Sequence, residues 1–461
     1  MRLLKRLFQR SPPPPPSRTL EVLLLDLVLD KLNPSFYYFA SASNNIFQSF
    51  RRTISSLSHV TLTSASHLHI FAPDLKSCSS LTFKCSLRHT ELIKCSQFSN
   101  LQKLIFAEST PLTCDPFVFL SNLDILSLDV SMCPLLDDMF FKTIACFKNL
   151  KELNISNLTL VTPFGLTSFC KCSTKIQTFK ASRCSAISLD SIEFFTQYWK
   201  SLKVLDISDN IELTNEVVHL IATSCVPLEY FYLTHCHLID GCYFDLFANI
   251  VCLKELNISG MEEIDEKPLT KLLINSELRK LNVSSCLLLS DNFLGTVEYP
   301  FLQYLDLSFC PDLTDDFLKN SCVLFPNLLS FIANGSKFSS DAFEYLCINC
   351  LKLEQLSLLD CPFVDDFIFI HLSNNLSQSL KSLAVSSEYI SDQGIYTLIE
   401  KCKFISRLAL PCCTGLTPIT LTVLLQLKSV LKYLKLSGCG VFSREQLIDF
   451  YKLSGIKELE V

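Results

Sequence analysis

Glycine is scarce in this chain, ten residues in 461. A loop that cradles phosphate needs several glycines close together, and none is present; nor is a metalloprotease helix motif. No strong excess of one charge exists either. The formal net charge of -6 lacks the basic footprint that a nucleic-acid partner requires. Long apolar runs are also missing. The most apolar stretch near the start, Leu20 to Leu32, is too short to span a bilayer and carries Glu21, Asp26, Asp30 and Lys31. No secretory signal is expected, because Pro12 to Pro16 follow the first apolar residues at once. Metal ligands do not gather: Cys347-x-x-Cys350 has no second pair at zinc-ribbon spacing, and His235 and His237 flank an inward Cys236. No catalytic constellation, metal or cofactor is expected.

What the chain has instead is one phrase, Leu-x-x-Leu-x-Leu-Ser-x-Cys. Leu302, Leu305, Leu307 and Cys310 spell it in FLQYLDLSFC. Ile125 to Cys133, Leu228 to Cys236, Leu353 to Cys361 and Leu431 to Cys439 repeat it. Strand phrases open at Leu57, Cys78, Leu101, Ile125, Leu150, Ile176, Leu202, Leu228, Leu253, Leu278, Leu302, Leu328, Leu353, Leu380, Ile405, Leu431 and Ile456. From Leu101 on, the steps are about 24 to 27 residues, the period of a leucine-rich repeat. The expected fold is α/β, a right-handed horseshoe-shaped solenoid with parallel strands on its concave face and helices on its convex face. The first, fourth and sixth positions point inward, and a helix such as Thr214–Thr223 returns the chain, with Thr214 as cap and Val217, Val218 and Ile221 inward. Phe317, Phe343 and Phe367 are expected to fill the space between layers. One coil cannot bury its own apolar face, so each depends on its neighbours.

The 23 cysteines fit this pattern better than a disulfide scaffold. Cys133, Cys184, Cys236, Cys286, Cys310, Cys361, Cys413 and Cys439 share one repeat slot, and Cys225, Cys350 and Cys402 form a second ladder. A residue that recurs at one slot is a small filler of the inner wall. Reduced thiols point to a cytoplasmic or nuclear setting. Acidic pairs at Asp137-Asp138, Asp315-Asp316 and Asp365-Asp366 fall where helices start, so capping explains them better than acid–base chemistry.

Three segments result: a basic, proline-rich tail over 1–19, a helical unit over 20–55, and the solenoid over 56–461. In the tail, Leu3, Leu4, Leu7 and Phe8 oppose Arg2, Lys5, Arg6 and Arg10. Ten residues make a marginal helix, and a disordered tail is the simpler reading.

The repeat LDLSFCPDLTDDFLKNSC resembles the cysteine-containing leucine-rich repeats of F-box proteins, substrate receptors of cullin-RING ubiquitin ligases. The segment before the repeats is similar to an F-box. Leu20, Leu24, Leu25, Val28, Leu29 and Leu32 match its apolar register, and Asn33-Pro34 matches its first break. Glu21 stands in place of the usual proline, Phe36 in place of a common acidic residue, and Asn44, Asn45 and Ile46 in place of basic and Trp positions. The resemblance implies a Skp adaptor and a cullin as partners, with Leu24, Leu25, Val28, Leu29 and Pro34 contacting the adaptor. The alternative is a helical cap that seals the first coil, on a repeat scaffold with no ligase role.

A protein target is expected on the concave face. The outward residues there are Asp206, Tyr230, Tyr232, His235, Tyr304, Asp306 and Phe309, flanked by Arg183 and Asp209. Exposed aromatics and Arg are the usual anchors of protein interfaces, while tyrosines that merely cover strand edges are the plainer alternative. The Asn-x-Ser sequences at Asn154, Asn257 and Asn282 are expected to serve the strand phrase itself.

Overall fold

The computed structural model describes residues 58–62, 68, 75, 77–107, 111–224 and 227–461. Leu24, Leu25, Val28, Leu29, Pro34 and the basic tail lie outside the described residues, as does Cys225. The chain divides into two compact units, Met1–Leu202 and Lys203–Val461.

In the first unit, six short strands pair in parallel in chain order: β1 (His59–Leu62), β2 (Ser80–Phe83), β3 (Lys103–Phe106), β4 (Ser127–Asp129), β5 (Glu152–Asn154) and β6 (Thr178–Lys180). The second unit continues the pattern. Its strands are β7 (Val204–Asp206), β8 (Tyr230–Tyr232), β9 (Glu255–Asn257), β10 (Lys280–Asn282), β11 (Tyr304–Asp306) and β12 (Ser330–Ile332). They are followed by β13 (Gln355–Leu358), β14 (Ser382–Val385), β15 (Arg407–Ala409), β16 (Tyr433–Lys435) and β17 (Glu458–Glu460), again parallel to their neighbours. Every one of these seventeen strands opens two residues after the phrase start expected from sequence. A parallel pair needs a crossover, and a helix or a 3-10 turn supplies it in most coils.

Inward residues behave as the phrase requires. Leu302, Leu305, Leu307 and Cys310 are buried, and so are Leu353, Leu356, Leu358 and Cys361, while at the last phrase Val461 is 62% exposed. The cysteine slot does more than fill space. Its thiol donates across to the preceding coil: Cys310 Sγ to the Val283 carbonyl at 3.2 Å, Cys361 to Ala333 at 3.2 Å and Cys439 to Leu410 at 3.1 Å. Burial pushes the Cys310 thiol up to about 11, so it stays protonated and keeps its donor.

The acidic pairs at helix starts divide their labour. Asp137 caps its own helix by accepting from the Met139 N–H at 2.9 Å, as expected. Asp138 instead reaches the next coil, where Thr162 donates its N–H at 2.7 Å and its hydroxyl at 2.6 Å. The same staple joins Asp291 to Thr314, Asp315 to Ser339 and Asp366 to Ser391. Gly394 makes room for the last of these, since a Cβ there would lie 2.1 Å from Asp366 Oδ1.

Two expectations need correction. Phe317 and Phe343 are buried, but Phe367 is 58% exposed. Asp365 caps the helix Phe367–Asn375 at its first residue, and the inward positions fall on Ile368, Phe369 and Leu372. Thr214 does occupy an N-cap, with Val217, Val218 and Ile221 buried behind it, but its side chain makes no cap bond. Its hydroxyl donates to the Glu216 carboxylate instead.

Candidate functional site

Alternation along a strand turns the third and fifth residues of each phrase away from the core. In the second unit this places Tyr230, Glu255, Lys280 and Tyr304 in direct register across β8 to β11. Tyr232, Asn257, Asn282 and Asp306 form the parallel row beside them. Four strands about 4.8 Å apart make each row about 14 Å long.

Polar bonds hold these side chains in place. The Tyr232 hydroxyl donates to Glu255 Oε1 at 2.9 Å, and Lys280 Nζ lies 3.0 Å from the same carboxylate. The Tyr304 hydroxyl points to Asp306 Oδ2 at 3.3 Å. Burial, and then the nearby carboxylates, raise both phenols above their ordinary range. They remain hydrogen-bond donors rather than phenolates. Glu255, Asn257, Lys280, Asn282 and Tyr304 line a shallow hollow of about 270 Å³. One residue upstream, Lys203 and Lys254 grip Glu229 at 2.8 and 2.5 Å and hold its carboxyl down to about 2.

The fifth column is partly structural. One oxygen of Asp206 accepts from the Ser208 N–H at 3.1 Å, and Asp306 accepts from Ser308 at 3.0 Å. Asn154, Asn257 and Asn282 make the same local turn with Ser156, Ser259 and Ser284. These asparagines serve the strand phrase, which sets their side chains within the turn.

The residues picked out from sequence fall into two groups. Tyr230, Tyr232, Tyr304, Asp206 and Asp306 sit on strands. Arg183, Asp209, His235 and Phe309 sit in the turns that follow, all with left-handed φ of 51° to 56°. That conformation costs a non-glycine residue about 1–2 kcal/mol. In the last three it lets the backbone N–H extend the ladder: Asp209 to Thr234 at 2.8 Å, His235 to Ser259 at 2.9 Å and Phe309 to Asn334 at 2.7 Å. The His235 ring lies over Gly260 and the Phe309 ring over Gly335, where a Cβ would come within 2.1 and 2.3 Å. Arg183 belongs to the first unit; the rest belong to the second.

Glu255 and Lys280 were not among the residues singled out from sequence. Counting the third strand position as well as the fifth finds them, since it already holds Tyr230 and Tyr304. Among the described residues no group of three metal-ligating side chains gathers, and no helix is long and apolar enough to cross a membrane. What the arrangement offers chemically is a rigid face of phenol donors and fixed charges, suited to gripping a polypeptide.

No family model matches the sequence, and no curated protein matches it. Similarity appears in solved structures. Rad7, in its complex with Elc1 from yeast, is 17% identical and covers 94% of this chain and 96% of its own, with a TM-score of 0.53. An internalin from Listeria monocytogenes is 14% identical over 85% of this chain and 88% of its own, with a TM-score of 0.32. The leucine-rich-repeat ectodomain of the Arabidopsis thaliana receptor kinase GASSHO1/SCHENGEN3 is 16% identical over 78% of this chain and 46% of its own, at 0.43. Stacked parallel strands, inward Leu and Cys columns and the likeness to Rad7 together give the fold: the chain is a leucine-rich-repeat solenoid.

Proposed function

We propose that this chain is a non-catalytic recognition protein that captures a target on the strand face of its second unit. Its setting is an SCF-type ubiquitin ligase, where it serves as the substrate-recognition subunit in the cytoplasm or nucleus. The observation that carries target capture is the Tyr230–Glu255–Lys280–Tyr304 row, fixed in register on a parallel ladder with its side chains turned away from the core. Aromatic donors held rigid lose little entropy on binding. Rad7, the similar structure with matching length, is itself seen in complex with a second protein, Elc1. The ligase setting rests on the F-box resemblance of Leu20 to Phe50, with Leu24, Leu25, Val28, Leu29 and Pro34 as the adaptor contacts.

Two variant pairs separate these parts. Affinity purification of the intact chain should recover the Skp adaptor and a cullin together with a target. Leu24→Asp with Val28→Asp should remove the adaptor and cullin and leave the target. Tyr232→Ala with Tyr304→Ala should do the reverse. A chain that never recovers the adaptor at stoichiometric level is a repeat scaffold with no ligase role.

A further inference from the structure

The strand face is one exposed surface of the second unit; the turn edge beside it is another. One residue beyond each left-handed turn residue come two exposed side chains, Ile211 and Glu212, His237 and Leu238, Glu262 and Glu263, Leu287 and Leu288, and Pro311 and Asp312, and the ladder of turn N–H groups stacks these pairs coil upon coil. Asp209 donates to Thr234, His235 to Ser259, Gly260 to Ser284, Ser285 to Ser308 and Phe309 to Asn334. Five consecutive coils therefore display their exposed pairs along one edge, about 19 Å long at the interstrand spacing.

The composition of that edge is one-sided. Ile211, Leu238, Leu287 and Leu288 are exposed apolar residues on it, with Ile211 at 64% and Leu288 at 57%. Glu212, Glu262, Glu263 and Asp312 are the exposed carboxylates between them. Residues 206–214, 232–241, 257–265, 282–290 and 306–313 contain no lysine or arginine.

Elsewhere on the same coils the acidic side chains have work within the fold. Asp206 and Asp306 close turns, Asp265 caps a helix, and Glu266 and Asp291 staple adjacent coils. Glu212, Glu262, Glu263 and Asp312 make no hydrogen bond or ion pair with another described residue. Packing does not call for them, and four apolar side chains left in water beside them gain nothing for folding.

We infer that this turn edge is a second docking surface, and that it takes a basic amphipathic segment of a partner protein, with Lys or Arg and Leu-sized residues interleaved along the one face turned to the edge. Nineteen ångströms match about 13 residues of helix. The carboxylates steer and orient the segment, and the apolar side chains among them supply the buried contact. This surface does not depend on the strand-face reading, because it shares none of the Tyr230–Tyr304 row.

The test uses the full chain and a labelled peptide of about 14 residues, with Lys and Leu interleaved on one helical face and uncharged polar residues on the other. A second peptide has the same composition in an order that destroys that face. Binding is read by fluorescence anisotropy at about 0.15 M salt, where exposed charges are screened beyond about 8 Å. The amphipathic peptide should bind at least about tenfold tighter than the reordered one. Glu262→Lys with Glu263→Lys should weaken it about tenfold or more, and Leu288→Ser should weaken it with no change in charge. Glu212→Lys with Asp312→Lys, at the other coils, should repeat the loss if the first pair fails to fold. Tyr304→Ala should change nothing. Equal binding of both peptides, or indifference to both charge reversals, overturns the inference. If peptide binds only after Arg2, Lys5 and Arg6 are changed to Glu, the edge belongs to the chain's own tail and the partner assignment falls.

Discussion

The two units build the same coil and hold it together by different means. In the first, large rings touch in an unbroken relay: Phe83, Phe106, Phe117, Phe140, Phe141, Phe169 and Trp199, with successive centroids 5.4 to 6.3 Å apart. In the second, aromatic contacts come in short groups such as Phe293, Phe317, Phe338 and Phe343. There, directional bonds recur from coil to coil: carboxylate staples from Glu266, Asp291, Asp315, Asp366 and Asp392, and thiols that donate to the coil before. Dispersion between rings tolerates irregular spacing, whereas a staple requires an acid and a Ser or Thr at fixed slots. The unit with regular staples is accordingly the one where the phrase is easiest to read.

The largest test of this contrast is Trp199→Ala. Trp199 is fully buried and lies 4.9 Å from Phe179 and 5.3 Å from Phe195 between ring centroids. Its removal should cost about 3–5 kcal/mol in denaturant unfolding. Hydrogen exchange should show faster opening of β5 and β6. Trp199→Phe should cost much less, because the indole N–H it deletes has no hydrogen-bond partner. A similar loss for both variants would mean that the ring relay is not what holds the first unit.

Second in size is the staple between Asp366 and Ser391. Asp366→Ala leaves the Ser391 N–H and hydroxyl without their acceptor, for a loss of about 1–3 kcal/mol. Gly394→Ala attacks the same contact from the far side, since its methyl would overlap Asp366 Oδ1. The double variant should therefore cost clearly less than the two single losses added together. Additive losses would show that the glycine serves something else.

Much of this was open to reading in the sequence. Leu and Cys columns placed all the strands, because inward positions are set by a period of two within a strand and by the repeat between strands. The staples were not open, because an acidic pair before an apolar run looks like capping whichever member does it. Asp137 caps and Asp138 staples, and only the neighbouring coil tells them apart. Phe367 was misplaced for a related reason. A helix of nine residues tolerates a shift of one position in its apolar face, and the Asp365 cap fixed the register that left Phe367 outside. The candidate surface was half legible: Tyr230, Tyr232 and Tyr304 could be named as outward strand residues, while Glu255 and Lys280 carry ordinary charges that stand out only once strand register aligns them.

A smaller effect appears on acidification. Burial pushes the Asp392 carboxyl up, but hydroxyl and backbone donors at Thr417 and Thr420 outweigh it, and the net shift is downward. A lowered carboxyl stabilises the fold above its unfolded value of about 3.9 and loses that contribution as pH falls through the folded value. Asp392→Asn should therefore be less stable than the parent chain at neutral pH, with the gap closing below about pH 4. Urea midpoints measured from pH 7 down to pH 3 read this directly, and a gap that stays constant with pH would remove the staple's charge from the account.

The smallest expected energy belongs to the thiol ladder, and chemistry reads it better than stability does. Cys310→Ala deletes the bond to the Val283 carbonyl and should cost only about 1 kcal/mol. Cys286 and Cys236 are pushed up to about 12 by burial, so neither offers a thiolate to an alkylating agent. Cys172, Cys242, Cys252 and Cys412 are exposed on the same chain. Iodoacetamide at pH 8 should label these four in the folded protein and reach Cys236, Cys286 and Cys310 only in denaturant, because nucleophilic thiolate must also be accessible. Rapid native labelling of the ladder would mean that coils of the second unit open locally far more often than their staples allow, and would move the stronger hold to the aromatic unit.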